Sequence, residues 1–156
     1  VTRWGWLVIA GLAVIVDQAT KQAACSALQA DHAVHVLGSF VMLRLVRNYP
    51  TAFGGSPLFD VASRAAVLLL VLCLDRILQR HLRAGSAGRI AVGLYIAAAA
   101  GNGIDRVRLG YVVDFIRIGR WPVFNVADIA LTGGLVISAA IVAKHLRRTR
   151  RAAPDH

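Results

Sequence analysis

The segment from Val123 to Ala143, VFNVADIALTGGLVISAAIVA, decides the fold. It supplies the ~20 mostly apolar residues that a membrane-spanning helix requires. Only Asn125 and Asp128 interrupt it, and both stand near its start. Outward from it, three further stretches read as spans. Residues 4–24 are uncharged from Trp4 to Val16 and cross only by continuing past Asp17. Residues 61–78 carry Arg64 near one end and Asp75-Arg76 near the other. Residues 90–105 include the small-residue tract from Ala97 to Gly101, which lets helices approach closely.

Between the first two spans, residues 33–54 read differently. Val34-His35-Val36 and Phe40 to Arg47 have strand character, Leu43-Arg44-Leu45 alternates, and Gly38-Ser39 marks a turn. Pro50 ends the second strand. The predicted fold is mainly α: a polytopic membrane protein with a four-helix transmembrane bundle and a small extracytoplasmic β-sheet, one domain over residues 1–156. The basic stretch after Lys144 is expected to fray.

Composition agrees with this reading. The chain is 57% hydrophobic yet carries a formal charge of +10. All eight acids are aspartate, whereas soluble helices favour glutamate, a better helix former. A disordered chain is excluded, and a soluble helical bundle is disfavoured. Cys25 and Cys73 have no metal or CxxC spacing and read as buried thiols. The first span lacks a small-residue cleavage site and reads as retained. Basic clusters flank the span ends around Arg76–Arg89 and Lys144–Arg151, which favours both termini on the cytoplasmic side. The same clusters suit anionic lipid headgroups, and no nucleic acid is expected as a partner.

With that orientation, Asp17, Asp105, Asp114 and Asp128 converge near the outer face. Ionisable groups at such depth are functional candidates. Asp17 and Lys21 stand at i, i+4, the favoured order for a helix ion pair; Asn102, Asp105 and Arg106 share one helix face, as do Asn125 and Asp128. Asp114 lies in an outer loop, inside the apolar string Tyr111-Val112-Val113-Asp114-Phe115-Ile116, where partial desolvation raises a carboxyl pKa. Two partly buried carboxylates that share a proton can hydrolyse a peptide bond. No Ser/His/Asp set stands at workable spacing. His32 and His35 read as surface or sheet residues, and neither a metal nor a cofactor is expected. The alternative is a small proton-coupled transporter or channel that uses its membrane aspartates as a relay.

Five segments in order resemble the lipoprotein signal peptidase (signal peptidase II) family. They are Asp17-Gln18-Ala19-Thr20-Lys21, Asn48 to Gly54 with Ala52 and Phe53, Gly101 to Arg106, Gly110 to Ile116, and Pro122 to Asp128. The resemblance implies an aspartic endopeptidase of the bacterial cytoplasmic membrane. It would remove the signal peptide from diacylglyceryl-modified prolipoproteins just before the lipidated cysteine. It implies Asp114 and Asp128 as the catalytic pair. Asp17, Lys21, Asn48, Asn102, Asp105, Arg106 and Asn125 would order the site or hold substrate, and Arg106 suits a phospholipid or carbonyl oxygen. Membrane phospholipid is the other expected partner, and the chain is expected to act as a monomer. Several positions depart from the family pattern, Arg64 and Asp75 in the second span among them. Ala97-Ala98-Ala99 replaces Gly-Gly-Ala, Pro50 replaces a glycine, and Gly103 replaces an apolar residue.

Overall fold

The computed structural model describes residues 4–29, 32–49 and 85–152, with Leu69, Cys73 and Arg76 as isolated helical positions. Apart from those three, the expected span over 61–78 lies outside the described residues. So do Asp31, Asp60, Asp75 and the 50–54 end of the expected β-region. The elements in chain order are α1 (Gly5–Ala27), β1 (Val34–Leu37), β2 (Val41–Asn48), α2 (Gly85–Leu109), β3 (Val112–Ile118) and α3 (Val126–Ala152).

Helix α2 packs against both α1 and α3. Its Ala91, Tyr95, Ala97 and Ala98 are buried, so the departure to alanine at 97–99 is accommodated at a tight helix interface. Tyr95 lies so close to α3 that a Cβ on Gly134 would stand 2.5 Å from its ring. Its hydroxyl meets Ser138 Oγ at 2.8 Å, which satisfies a polar tip far from water.

Among the described residues, two helices are long and apolar enough to cross a membrane. They are Gly5–Ala27 and Val126–Arg150, with mean hydropathies of 1.3 and 2.0. Leu7, Val8, Leu12 and Ile15 of α1, and Ile129, Leu135 and Val136 of α3, point away from the protein. This is the inverted arrangement of a chain whose outer solvent is lipid, where association rests on close packing and internal polar bonds. The expected span over 90–105 is helical within α2 but falls short on hydropathy. Its glycines together with Asn102 and Asp105 lower the mean: a helix covered by protein on two sides needs small residues more than lipid-soluble ones. Three helices of the expected four-helix bundle are thus described.

The sheet is antiparallel in the order β1-β2-β3. Strand β3 corrects the sequence reading, which left Asp114 in a loop. Its Val-Val-Asp-Phe-Ile-Arg-Ile run is rich in β-branched residues and pairs along β2. The register shifts by one residue between Leu43 and Val46: Leu43 pairs with Ile116, but Val46 pairs with Asp114. The extra residue matters, because strand side chains alternate faces. Without the bulge Asn48 would face away from Asp114; with it, Val46, Asn48 and Asp114 share one face. Phe115 seats the sheet on Ala24 and Leu28 at the end of α1, with Leu43, Leu45, Ile116 and Val126 around it.

Two other expectations change. The basic tail does not fray at Lys144 but continues α3 to Ala152, since Lys, Leu and Arg are good helix formers. Cys25 and Cys73 are exposed free thiols rather than buried ones, on surfaces that a membrane protein presents outward.

Candidate active site

The site lies where the C-terminal halves of α1 and α2, the sheet, and the N-terminus of α3 meet. The chain arrives at α3 through a tight return after β3. Gly119, at φ 53°, turns the chain, and Phe124 pairs back on Ile116 through bonds of 2.9 Å in both directions. That return brings Asn125 to the helix start. There Asn125 Oδ1 accepts the Asp128 N–H at 3.1 Å and Asp128 Oδ2 accepts the Asn125 N–H at 3.1 Å. This is a reciprocal capping box, and it fixes the Asp128 carboxylate against the helix N-terminus.

Asn125 is fully buried. Its Nδ2 donates to Asp114 Oδ1 at 2.7 Å, to Asn102 Oδ1 at 2.9 Å and to the Val113 carbonyl at 3.3 Å. One residue therefore touches both Asp114 and Asp128. Asn48 Nδ2 donates to the other Asp114 oxygen at 3.0 Å. Asn102 Nδ2 donates to Asp128 Oδ1 at 3.1 Å. Beside Asn48, the Tyr49 and Tyr111 rings meet at a tilt with centroids 5.1 Å apart and Arg47 lies over Tyr111, which ties the end of β2 to the start of β3. Burial pushes the Asp114 carboxyl above its ordinary value. The Asn48 bond opposes that rise, the Asp128 charge adds to it, and the Asn125 bond and Lys21 charge lower it.

Behind this pair sits a buried charge cluster. Lys21 Nζ makes 2.9 Å to Asp17 Oδ2, 2.8 Å to Asp105 Oδ2 and 3.0 Å to Asn102 Oδ1, which uses all three of its donors. Asp17 Oδ1 accepts the Ala127 N–H at 2.8 Å, and Asp105 Oδ2 accepts the Val113 N–H at 3.0 Å. Each of these backbone donors belongs to the residue just before a candidate catalytic aspartate. Asp17 thus supplies a second, tertiary cap to α3, and its charge sits favourably at the positive end of that helix dipole. Gly101 makes room for it: a Cβ there would stand 2.5 Å from Asp17 Oδ2.

Of the nine residues singled out from the sequence, the structure brings Asp17, Lys21, Asn48, Asn102, Asp105, Asp114, Asn125 and Asp128 into this one hydrogen-bonded network. Arg106 is half-buried on the same turn of α2. Sequence reasoning passed over Gln18. Its Nε2 donates to Asp17 Oδ2, the Gly101 carbonyl and Asp105 Oδ1 at 3.2, 3.1 and 3.0 Å; its place between Asp17 and Lys21 was the available signal. It also passed over the backbone amides of Val113 and Ala127, which no side-chain pattern reveals.

A groove of about 1050 Å³ opens beside Asp128 and runs along α3 past Ile129, Gly133 and Ile137. Phe40, Ile118 and Trp121 line it as well. Asp128 therefore borders an apolar trough.

Comparison with known proteins identifies the family. A profile of the family described as signal peptidase (SPase) II matches residues 9–144. The lipoprotein signal peptidase of Moorella thermoacetica is 36% identical over 137 residues, covering 85% of this chain and 88% of its own. That of Syntrophotalea carbinolica is 39% identical over 141 residues, covering 83% and 84%. A solved structure described as a bacterial membrane enzyme superposes with a TM-score of 0.70 at 26% identity, over 91% of this chain and 93% of that one. These similarities set aside the transporter alternative, and with helices of spanning length they make the chain a membrane protein. The chain belongs to the signal peptidase II family.

Proposed function

We propose that this peptidase is of the aspartic type and cuts diacylglyceryl-modified prolipoproteins just before the lipidated cysteine, with Asp114 and Asp128 as the reacting pair. The observation that carries the proposal is Asn125, which holds an oxygen of each carboxylate at 2.7 and 3.1 Å. Asp114 is buried, and burial and the neighbouring Asp128 charge push its carboxyl upward, which favours it over Asp128 as the proton donor. Asp128 is half-buried and lines the groove, so it meets water and substrate. Asp128 takes a proton from water as the oxygen attacks the scissile carbonyl. Asp114 gives its proton to the carbonyl oxygen. Collapse of the tetrahedral intermediate then passes a proton to the leaving amine.

The apolar groove suits the lipid-modified end of the substrate, and Arg106 suits a phosphate or carbonyl oxygen. The enzyme works in the bacterial cytoplasmic membrane with both termini cytoplasmic and the site at the outer face, as a monomer. Basic clusters beside the span ends support that orientation. The test replaces Asp114→Asn and Asp128→Asn singly and follows cleavage of a lipidated precursor. Each variant loses activity by about 10²–10⁴-fold, the range for a general acid or base. Retained cleavage in either would remove that residue from the pair.

A further inference from the structure

The end of the sheet farthest from Asn48 carries an apolar surface that extends beyond the groove assigned to substrate. Leu37, Val41 and Ile118 pair in one row across the three strands. Next to that row, the Gly119 N–H donates to the Phe40 carbonyl at 2.7 Å, and a Cβ placed on Gly119 would meet the Phe40 ring at 3.6 Å. The hairpin between β1 and β2 and the turn after β3 therefore form one tip. Its large side chains are turned outward: Leu37 is 66% exposed, Phe40 63% and Trp121 70%. All four residues of β1, three of them apolar, are exposed. A strand in water buries one face and wets the other; this one wets neither to advantage.

Two observations decide what covers the tip. First, it is continuous with a lipid-facing surface. The groove that begins at Phe40, Ile118 and Trp121 runs on to Ile129, Val136 and Ile137, on the flank of a helix apolar and long enough to span a membrane. Second, Arg120 stands exposed in the same turn as Trp121, and a cation beside an amphipathic ring is the pairing that settles at the phosphate level of a bilayer. We infer that the β1–β2 tip and the Gly119–Pro122 turn form a wedge that enters the membrane interface, with lipid as its partner. Phe40 and Leu37 lie among the upper acyl carbons, Trp121 at the headgroup boundary, and Arg120 on the phosphates. The wedge holds the sheet, and with it Asp114, at a set height above the bilayer, and it sets the Phe40–Trp121 side of the groove against lipid. The inference rests on α3 crossing the membrane and not on which residues react.

The test is fluorescence quenching with the full chain in phosphatidylcholine–phosphatidylglycerol vesicles. Trp4→Phe and Trp6→Phe together leave Trp121 as the sole tryptophan. Replacing part of the phosphatidylcholine by its dibrominated form should quench Trp121 several-fold more than aqueous iodide does, with emission shifted to the blue. Strong iodide quenching with weak lipid quenching would overturn the wedge. Quenching by neither would overturn it too, because the tip would then be covered by protein, a second copy or another part of this chain. Should the double variant fail to fold, the wild type is compared with Trp121→Phe alone: the lipid-quenched component must disappear from the variant, and its persistence refutes the inference.

Discussion

Asp17 and Asp105 share the ammonium of Lys21, at 2.9 and 2.8 Å, and each also holds a backbone N–H just before a candidate catalytic aspartate. The first bond joins α1 to the start of α3, and the second joins α2 to β3. One lysine on one helix thereby references both carboxylates to a common point. Buried ion pairs are poor sources of net stability but costly to break from one side.

Lys21→Met therefore leaves two buried carboxylates without their cation. Loss of one partner of a buried pair costs about 3–5 kcal/mol. A large fall in melting temperature in detergent is expected, with kcat falling more than KM in whatever fraction folds. A variant with unchanged melting and unchanged kcat would show that the cluster does not position the pair.

Asp17 separates geometry from charge. Asp17→Ala removes the acceptor for Ala127 N–H, and loss of a helix cap costs about 1–2 kcal/mol. Asp17→Asn keeps a side-chain oxygen for that bond. The asparagine variant should melt above the alanine variant and keep more of kcat. Equal losses would point to charge alone and leave the cap without a role.

The raised pKa of Asp114 carries a sign. Its folded value stands above the ordinary 3.8, so the folded state binds this proton more tightly than the unfolded chain does. The stability it contributes is complete below the unfolded value and is lost as pH rises through the folded one. Melting of the wild type should thus fall relative to Asp114→Asn over that window. Cleavage should show an alkaline limb over the same range. Asn48→Ala removes a bond that lowers this pKa, so it should move the alkaline limb to higher pH. An unmoved limb would assign that titration to another group.

Gly101 and Gly103 form a matched pair on one helix. A Cβ at Gly101 would stand 2.5 Å from Asp17 Oδ2 and 3.2 Å from Ala127 Cβ, whereas one at Gly103 meets nothing within 4 Å. Gly101→Ala should cost about 1–3 kcal/mol by overpacking and lower activity by displacing Asp17. Gly103→Ala should be neutral or stabilising by about 0.5–1 kcal/mol through helix propensity. Thermal unfolding and cleavage rates of the two variants check this, and a reversed order would contradict the packing described.

The two kinds of information divide along physical lines. Residues 4–24 and 123–143 were legible as helices of spanning length because lipid imposes a one-dimensional rule, enough consecutive apolar residues to cross. The pairing of Asp17 with Lys21 was legible because helical spacing is local. Order and spacing of five short segments pointed to the family, since each lies where chemistry needs a particular side chain. What escaped the sequence was non-local. β3 read as a loop because its strand character depends on a partner, β2, more than sixty residues away. The bulge that turns Asn48 toward Asp114 leaves no mark in either strand alone. The capping of α3 by Asp17 uses a backbone N–H, which every residue but proline owns and no residue type announces. Sequence alone determined which side chains were available for chemistry. Tertiary structure alone decided which of them meet, because hydrogen bonds to backbone amides and cross-strand register depend on distances in space, not along the chain.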